Sequence, residues 1–398
     1  RRMRGPAMRL PPRLALSALA RGPSCILGSG AATQKDWQTR NRRGFSDFNI
    51  EPLPDSDLEE SSPWTSRNRS EPKRHIACKK AARNLVRDLL EHQNPSRQII
   101  LECNPGPGIL TGALLKAGAR VVAFESEKTF IPHLEPLQRN MDGELQVVHC
   151  DFFKMDPRYQ EVVRPDVSSQ AIFQNLGIKA VPWSAGVPIK VFGILPYKHE
   201  RRILWKILFD LYSCESIYRY GRVELNMFVS EKEFRKLIAT PKRPDLYQVM
   251  AVLWQVACDV KFLHMEPWSS FSVHTENGHL EKSKHGESVN LLKQNLYLVR
   301  MTPRRTLFTE NLSPLNYDIF FHLVKHCFGK RNAPIIRHLR SLSTVDPINI
   351  LRQIRKNPGD TAARMYPHDF KKLFETIEQS EDSVFKWIYD YCPEDMEF

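Results

Sequence analysis

Apolar and polar positions along the chain follow two periods, and where one gives way to the other the pattern is most informative. Ile99-Ile100-Leu101 is a short continuous apolar run that stops at Glu102 and passes into Asn104-Pro105-Gly106-Pro107-Gly108. Ile109, Leu110, Ala113, Leu114 and Ala117 then recur at helical spacing. The pattern predicts a buried strand, a tight turn and an amphipathic helix, the opening unit of a nucleotide-binding α/β sheet. Glycine suits such a turn because, with no Cβ, its backbone can approach a ligand closely. Arg120 to Glu125 and Leu145 to Asp151 read as two further strands, each ending in an acid. The first of these acids lies about 20 residues past the turn, where such folds place a carboxylate on a ribose diol.

The periods continue in the same alternation. A helical pattern starts at Lys73, with Ala77, Ala81, Leu85, Val86 and Leu89 on one face. Ile189 to Leu195 predicts a fourth strand running into Pro196-Tyr197, and Arg222 to Val229 a fifth. Val260 to His264 is extended and Asn295 to Met301 is a late strand. Helices are expected near 199–212, 231–239 and 247–256, and an irregular insertion at 155–188, where Pro157, Pro165, Pro182 and Pro188 interrupt any period. After Pro314 the strand signals cease. Tyr317, Phe320, Phe321, Val324 and Phe328 form a helical stripe. Leu339, Leu342, Ile350, Leu351 and Ile354 continue it, followed by Phe370, Leu373, Phe374 and Ile377, then Val384, Trp387 and Ile388. Such stripes are the expected core of packed helices. The predicted organisation is thus an α/β domain over 73–305 and a small all-helical domain over 306–398.

Charge divides the rest of the chain. Residues 1–45 hold ten Arg and Lys against Asp36 alone and include the amphipathic stretch Leu10 to Leu19. That composition predicts a mitochondrial transit peptide, with Arg43-Gly-Phe-Ser46 as a processing site cut after Phe45; a basic arm that binds nucleic acid is the alternative. Residues 46–72 are acidic, rich in Pro and Ser, and predict a flexible linker. With both segments set aside, the remaining chain is still basic, which suits a polyanion. The eight cysteines show no paired spacing, so Cys103, Cys150, Cys258 and Cys327 are expected as small buried residues, with no metal site. No apolar window is long enough to predict membrane insertion.

The strand-end residues together resemble the motifs of the ribosomal RNA adenine-N6 dimethyltransferase family. Glu102-Cys-Asn-Pro-Gly-Pro-Gly108 followed by Ile-Leu-Thr111 is similar to the family's first motif. Glu125, Asp151 and Leu195-Pro-Tyr197 fall where its second, third and fourth motifs fall. The likeness runs through Met227 to Leu237, Tyr247 to Gln255 and Phe320 to Leu339, covering most of 73–340. It implies a Rossmann-like methyltransferase domain that binds S-adenosylmethionine. In that reading Gly106 and its neighbours Glu102, Asn104 and Gly108 approach the methionine part. Glu125 takes the ribose hydroxyls, Asp151 the adenine amine, and Ile76, before the first helix, also touches the cofactor.

Three departures from the family pattern bear on activity. Arg74-His75-Ile76-Ala77 lacks the family's Gly-Gln-Asn ahead of its apolar pair, and Asn104 replaces the usual first glycine. The family's Asn-Leu-Pro-Tyr reads Ile194-Leu195-Pro196-Tyr197 here. The N6 lone pair of adenine is conjugated into the ring, and an Asn carbonyl that accepts from the amine helps turn it toward a methyl donor. Ile194 carries no acceptor, and loss of one such group typically costs about 10²–10³-fold in rate. Methylation is therefore expected to be weak, while Tyr197 keeps an aromatic face for an unstacked base.

The leader and the altered motifs together resemble the mitochondrial transcription factor B branch of the family. That resemblance implies an initiation factor of the matrix nucleoid, working with the mitochondrial RNA polymerase and a high-mobility-group DNA-bending factor. Its task there is to open promoter DNA and hold the melted strand. Arg201, Arg202, Lys325, Lys330, Arg331, Arg337 and Arg340 are the candidate phosphate contacts. The alternative is an active dimethylase of two adjacent adenines in small-subunit mitochondrial rRNA, and a third reading is a ribosome-assembly protein that binds RNA without chemistry.

Overall fold

The computed structural model describes residues 73–90, 99–140, 144–157, 167–274, 293–380 and 386–387. The expected leader and acidic linker lie outside the described residues, as do 158–166 of the 155–188 stretch. The described residues all belong to one compact unit.

Its centre is a seven-stranded sheet. Strands β2 (Ile99–Cys103), β3 (Arg120–Glu125), β4 (Leu145–His149), β5 (Ile189–Ile194) and β6 (Glu224–Ser230) run parallel in the order β4-β3-β2-β5-β6. Antiparallel β9 (Leu296–Pro303) joins β6, and β7 (Cys258–Glu266) closes the edge beyond it. Helices α1 (Lys79–Leu90), α2 (Ile109–Lys116), α3 (Ile131–Asn140), α4 (Ser169–Asn175), α5 (Glu200–Tyr212), α6 (Glu231–Leu237) and α7 (Val249–Ala257) connect the strands. The order reverses at β2, which has β3 on one side and β5 on the other, so the carboxyl ends of these strands flank a topological switch point.

The central strands β2, β3 and β5 read as near-continuous apolar runs because both of their faces are covered. Their two-residue period sorts the side chains between two cores. Ile100, Val121, Ala123, Phe192 and Phe228 pack with Leu85, Leu110, Leu114 and Leu134 from the α1, α2 and α3 side. Leu101, Val122, Phe124, Val191 and Met227 face the opposite way, toward Leu204, Leu208, Leu211 and Trp254 of α5 and α7. This second core continues into α8 (Tyr317–Gly329), α9 (Ile335–Leu342), α10 (Pro347–Gln353) and α11 (Pro367–Gln379). Tyr212 meets Phe321 edge-on at 4.7 Å between centroids, and Tyr247 donates to the carbonyl of Met365 at 2.8 Å. The aromatic stripes are core, as their spacing predicts. Cys103, Cys150, Cys258 and Cys327 are buried and free, and among the described residues no cluster of metal-ligating side chains occurs.

Helix α7 passes into β7 with no intervening residue: Ala257 ends the one and Cys258, already extended, begins the other. The strand is longer than the stretch 260–264 that its sequence suggests, because β9 pairs with it along its length.

Several expectations change. The chain from Lys73 is first a strand, β1 (Lys73–Ile76), and the helix begins only at Lys79. Register with β8 (Phe271–His274), from Lys73 opposite His274 to Ile76 opposite Phe271, overrides the local helical pattern; β8 itself carried no signal that could be separated from a loop. The 155–188 stretch holds helix α4, whose Phe173 is fully buried in the core. The stripe from Leu339 to Ile354 is two helices, with Asp346 capping the second through the amides of Ile348 and Asn349. Of the last predicted stripe, Val384 and Ile388 lie outside the described residues. Trp387 bridges Ser343 and stacks on Phe374.

Candidate functional site

The crevice at the switch point is built from four strand ends. After β2 the turn is held from below: Glu102 is buried and accepts a hydrogen bond from the Thr111 hydroxyl at 2.8 Å, tying the strand to the first turn of α2. Burial pushes the Glu102 carboxyl up to about 8, an effect the Thr111 hydroxyl only partly offsets. The folded chain therefore keeps this proton across a range in which the unfolded chain, at an ordinary 4.5, loses it. A raised acid favours the fold below its unfolded value, and that contribution drains away as pH climbs toward the folded one. Glu102→Gln is accordingly expected to flatten stability against pH between about 4.5 and 8, by at most about 1.4 kcal/mol per pH unit. Denaturant titrations of parent and variant at pH 5 and pH 8 check this; parallel profiles would show that Glu102 is ionised in the fold.

Above it, Asn104, Gly106 and Gly108 all take positive φ, so the turn winds through the left-handed region. Asn104 is held there because its side-chain oxygen accepts from the Ser126 hydroxyl at 2.6 Å and its amide donates to the Phe124 carbonyl at 2.7 Å. At the end of β3, Glu125 is fully buried. One oxygen accepts from the Gly106 amide at 2.8 Å and the other from the Glu127 amide at 2.7 Å. Burial raises this carboxyl, and the two amides work against the rise. Past β4, half-exposed Asp151 accepts from the Phe153 amide at 3.1 Å and faces the Lys154 ammonium at 3.7 Å.

The fourth strand end carries the Ile194 to Tyr197 turn. Leu195 is buried and its amide donates to the Phe228 carbonyl at 3.0 Å. Just beyond, Glu200 at the start of α5 accepts from both the amide and the hydroxyl of Ser230, which ties this turn to the end of β6. Ile194, Pro196 and Tyr197 are half-buried. Ile76 is buried in the core it shares with α1 and α2.

The residue that sequence reading passed over is His75. Strand β1 lays its ring directly on the glycine turn, where its Nδ1 stands 3.0 Å from the Asn104 carbonyl oxygen. A Cβ built on Gly106 would come within 2.4 Å of that ring. Lys73 anchors the same strand by donating to the Ser126 hydroxyl and the Glu127 carboxylate, each at 2.6 Å. The only signal in the sequence was negative, the missing Gly-Gln-Asn.

The basic candidates form a looser set on the surface. Arg201 and Arg202 are exposed near the start of α5, close behind Tyr197. Arg201 donates to the Gln248 side chain and Arg331 to the Pro244 carbonyl, so both border the segment that leads into α7. Lys325, Lys330, Arg337 and Arg340 are exposed on α8, just past it, and on α9. His338 joins the two helices through the Lys330 carbonyl.

Carboxylates at neighbouring strand ends would suit the polar groups of a bound adenosine, and the chain's own imidazole lies against the Gly106 turn beside them.

Comparison with known proteins places the chain in a family. The family described as ribosomal RNA adenine dimethylase matches residues 81–379. The chain is 99% identical over 396 residues to a Mus musculus protein named dimethyladenosine transferase 2, mitochondrial, covering all of both. It is 53% identical over 392 residues to the Homo sapiens protein of the same name, covering 98% of this chain and 99% of that one. A dimethyladenosine transferase structure from Plasmodium falciparum aligns with 74% of this chain and 94% of its own, at 16% identity and a TM-score of 0.48. The family match implies S-adenosylmethionine binding. Matched across most of its length, this chain belongs to the ribosomal RNA adenine dimethylase family.

Proposed function

We propose that this chain is a mitochondrial transcription initiation factor built on a methyltransferase fold, in which base recognition has outlasted efficient methyl transfer. It works with the mitochondrial RNA polymerase and a high-mobility-group DNA-bending factor, melting promoter DNA and holding the open strand. Residues 1–45 serve as the transit peptide and 46–72 as a linker. Residues 73–305 are the methyltransferase-like domain and 306–398 the helical one, acting in the matrix nucleoid. The mitochondrial names of the relatives and the acid-poor leader support that destination.

The observation that carries the reading is Ile194. It stands half-buried where β5 opens onto the crevice, and its side chain offers nothing to an adenine amine. Bound S-adenosylmethionine supplies the methyl group in this family; what these residues retain for themselves is the handling of a base. Leu195 and Pro196 shape the floor and Tyr197 offers a ring for stacking, worth about 1–3 kcal/mol per base. Exposed Arg201, Arg202, Lys325, Lys330, Arg337 and Arg340, with half-buried Arg331, supply the salt-sensitive phosphate attraction that a single strand needs. A fold that receives extruded bases is suited to holding melted DNA.

Transcription by purified polymerase and bending factor, on a closed promoter and on the same promoter with a pre-melted bubble, tests this. The expected result is strong dependence on the full chain for the closed template, largely relieved by the bubble. Equal output without the chain on both templates would remove the initiation role. The second reading, an active dimethylase of two adjacent adenines in small-subunit mitochondrial rRNA, is favoured by the retained Glu125, Asp151 and Pro196-Tyr197.

A further inference from the structure

We propose that His75 is a built-in occupant of the methionine end of the cofactor site, so that S-adenosylmethionine binds only when this imidazole is displaced. The proposal rests on the crevice being the family's cofactor site and is independent of promoter melting.

Four observations meet at this one side chain. First, the ring lies against Gly106 so closely that even a methyl group there would overlap it, at 2.4 Å from both Cγ and Nδ1. A turn free of side chains exists to admit a ligand to the backbone, and here that space is filled from within. Second, His75 is 1% exposed, enclosed by Phe130 at 4.8 Å and His274 at 5.5 Å between ring centroids. Third, its Nε2 is buried with no hydrogen-bond partner among the described residues. A buried polar atom left unpaired is destabilising, so the closed arrangement holds back part of its stability. Fourth, the strand that carries it is a separate two-stranded ribbon with β8, outside the main sheet, and Lys73 ties it down at Ser126 and Glu127. The Lys73–His75 end of this ribbon can shift without breaking the seven-stranded ladder, while Ile76 and Phe271 stay in the core.

Burial also holds the imidazole down to about 4, so at neutral pH the plug is an uncharged ring and brings no cation to the turn. Glu125 is held separately, by groups that do not lie on β1. Its two oxygens are taken by the Gly106 and Glu127 amides, and the ribose must either share them or replace them.

Calorimetric titration of the full chain with S-adenosylmethionine and with S-adenosylhomocysteine tests the inference. His75→Ala is expected to bind both at least tenfold more tightly than the parent, while His75→Phe, which refills the cradle with a ring, gains nothing. Thermal melting of each variant establishes that it is folded. Unchanged or weaker binding by folded His75→Ala overturns the proposal, as does an equal gain in His75→Phe or no binding by either parent or His75→Ala. A second measurement uses the parent alone, with diethylpyrocarbonate labelling mapped by mass spectrometry. His75 is expected to be inert in the free chain and to become reactive at saturating S-adenosylhomocysteine. A ligand that binds while His75 stays protected overturns the proposal as well.

Discussion

Gly106→Ala is expected to lower stability by about 2–5 kcal/mol, a large loss for one added methyl group. Two costs combine. A φ of +60° puts an L side chain in the left-handed region, at about 1–2 kcal/mol. The new Cβ also runs into the His75 ring, which has no open space behind it, and overpacking of this kind costs about 1–3 kcal/mol. The two parts separate in a double-mutant cycle. In a His75→Ala background the clash with the ring atoms goes and only the 2.9 Å approach to the residue 75 Cβ is left, so the loss should fall toward the backbone cost of about 1–2 kcal/mol. Denaturant midpoints of the four chains give the coupling directly. An identical loss in both backgrounds would mean that the turn yields to the ring without strain.

Ile194→Asn is expected to raise methylation of an rRNA hairpin with two adjacent adenines by on the order of 10²-fold at saturating S-adenosylmethionine, the scale of one donor or acceptor aimed at a transition state. The restored amide would accept from the adenine N6 amine at the end of β5. Because position 194 is half-buried and not sealed in the core, a polar group there retains access to solvent or substrate and costs little in folding. Promoter-dependent transcription should change much less, since Tyr197 and the basic surface are untouched. Radiolabelled methyl transfer and run-off transcription on the same preparation compare the two. Loss of transcription with methylation unmoved would reverse the proposed ranking of roles.

Much of this fold was legible because its strands are short, apolar and closed by acids or glycines. Ile99 to Leu101 with Glu102, and Arg120 to Glu125, announce both the strand and the end that faces the crevice. Their burial on both faces removes the ambiguity that a half-exposed strand would carry. Segments ordered by distant partners were not legible. Arg74-His75-Ile76 precedes a helical run, and only pairing with Phe271–His274, some 200 residues away, makes it a strand. The same distance explains why His75 escaped notice. A histidine in an altered motif says that a ligand contact is missing; it does not say that the ring turns inward and takes the vacated space. Glu102 shows the opposite limit. Its place in the first motif suggests a ligand contact, and the sequence gives no hint that its carboxyl also accepts from Thr111.

The uninterrupted passage from α7 into β7 has a mechanical consequence. A loop between two elements absorbs rotation through its soft dihedrals; here a helix axis is welded to the strand that forms the outer rail of the sheet. Since α7 also packs against α5, α8 and α11, torque applied to the helical end by a large partner is carried to the sheet's far rim and not dissipated in a hinge.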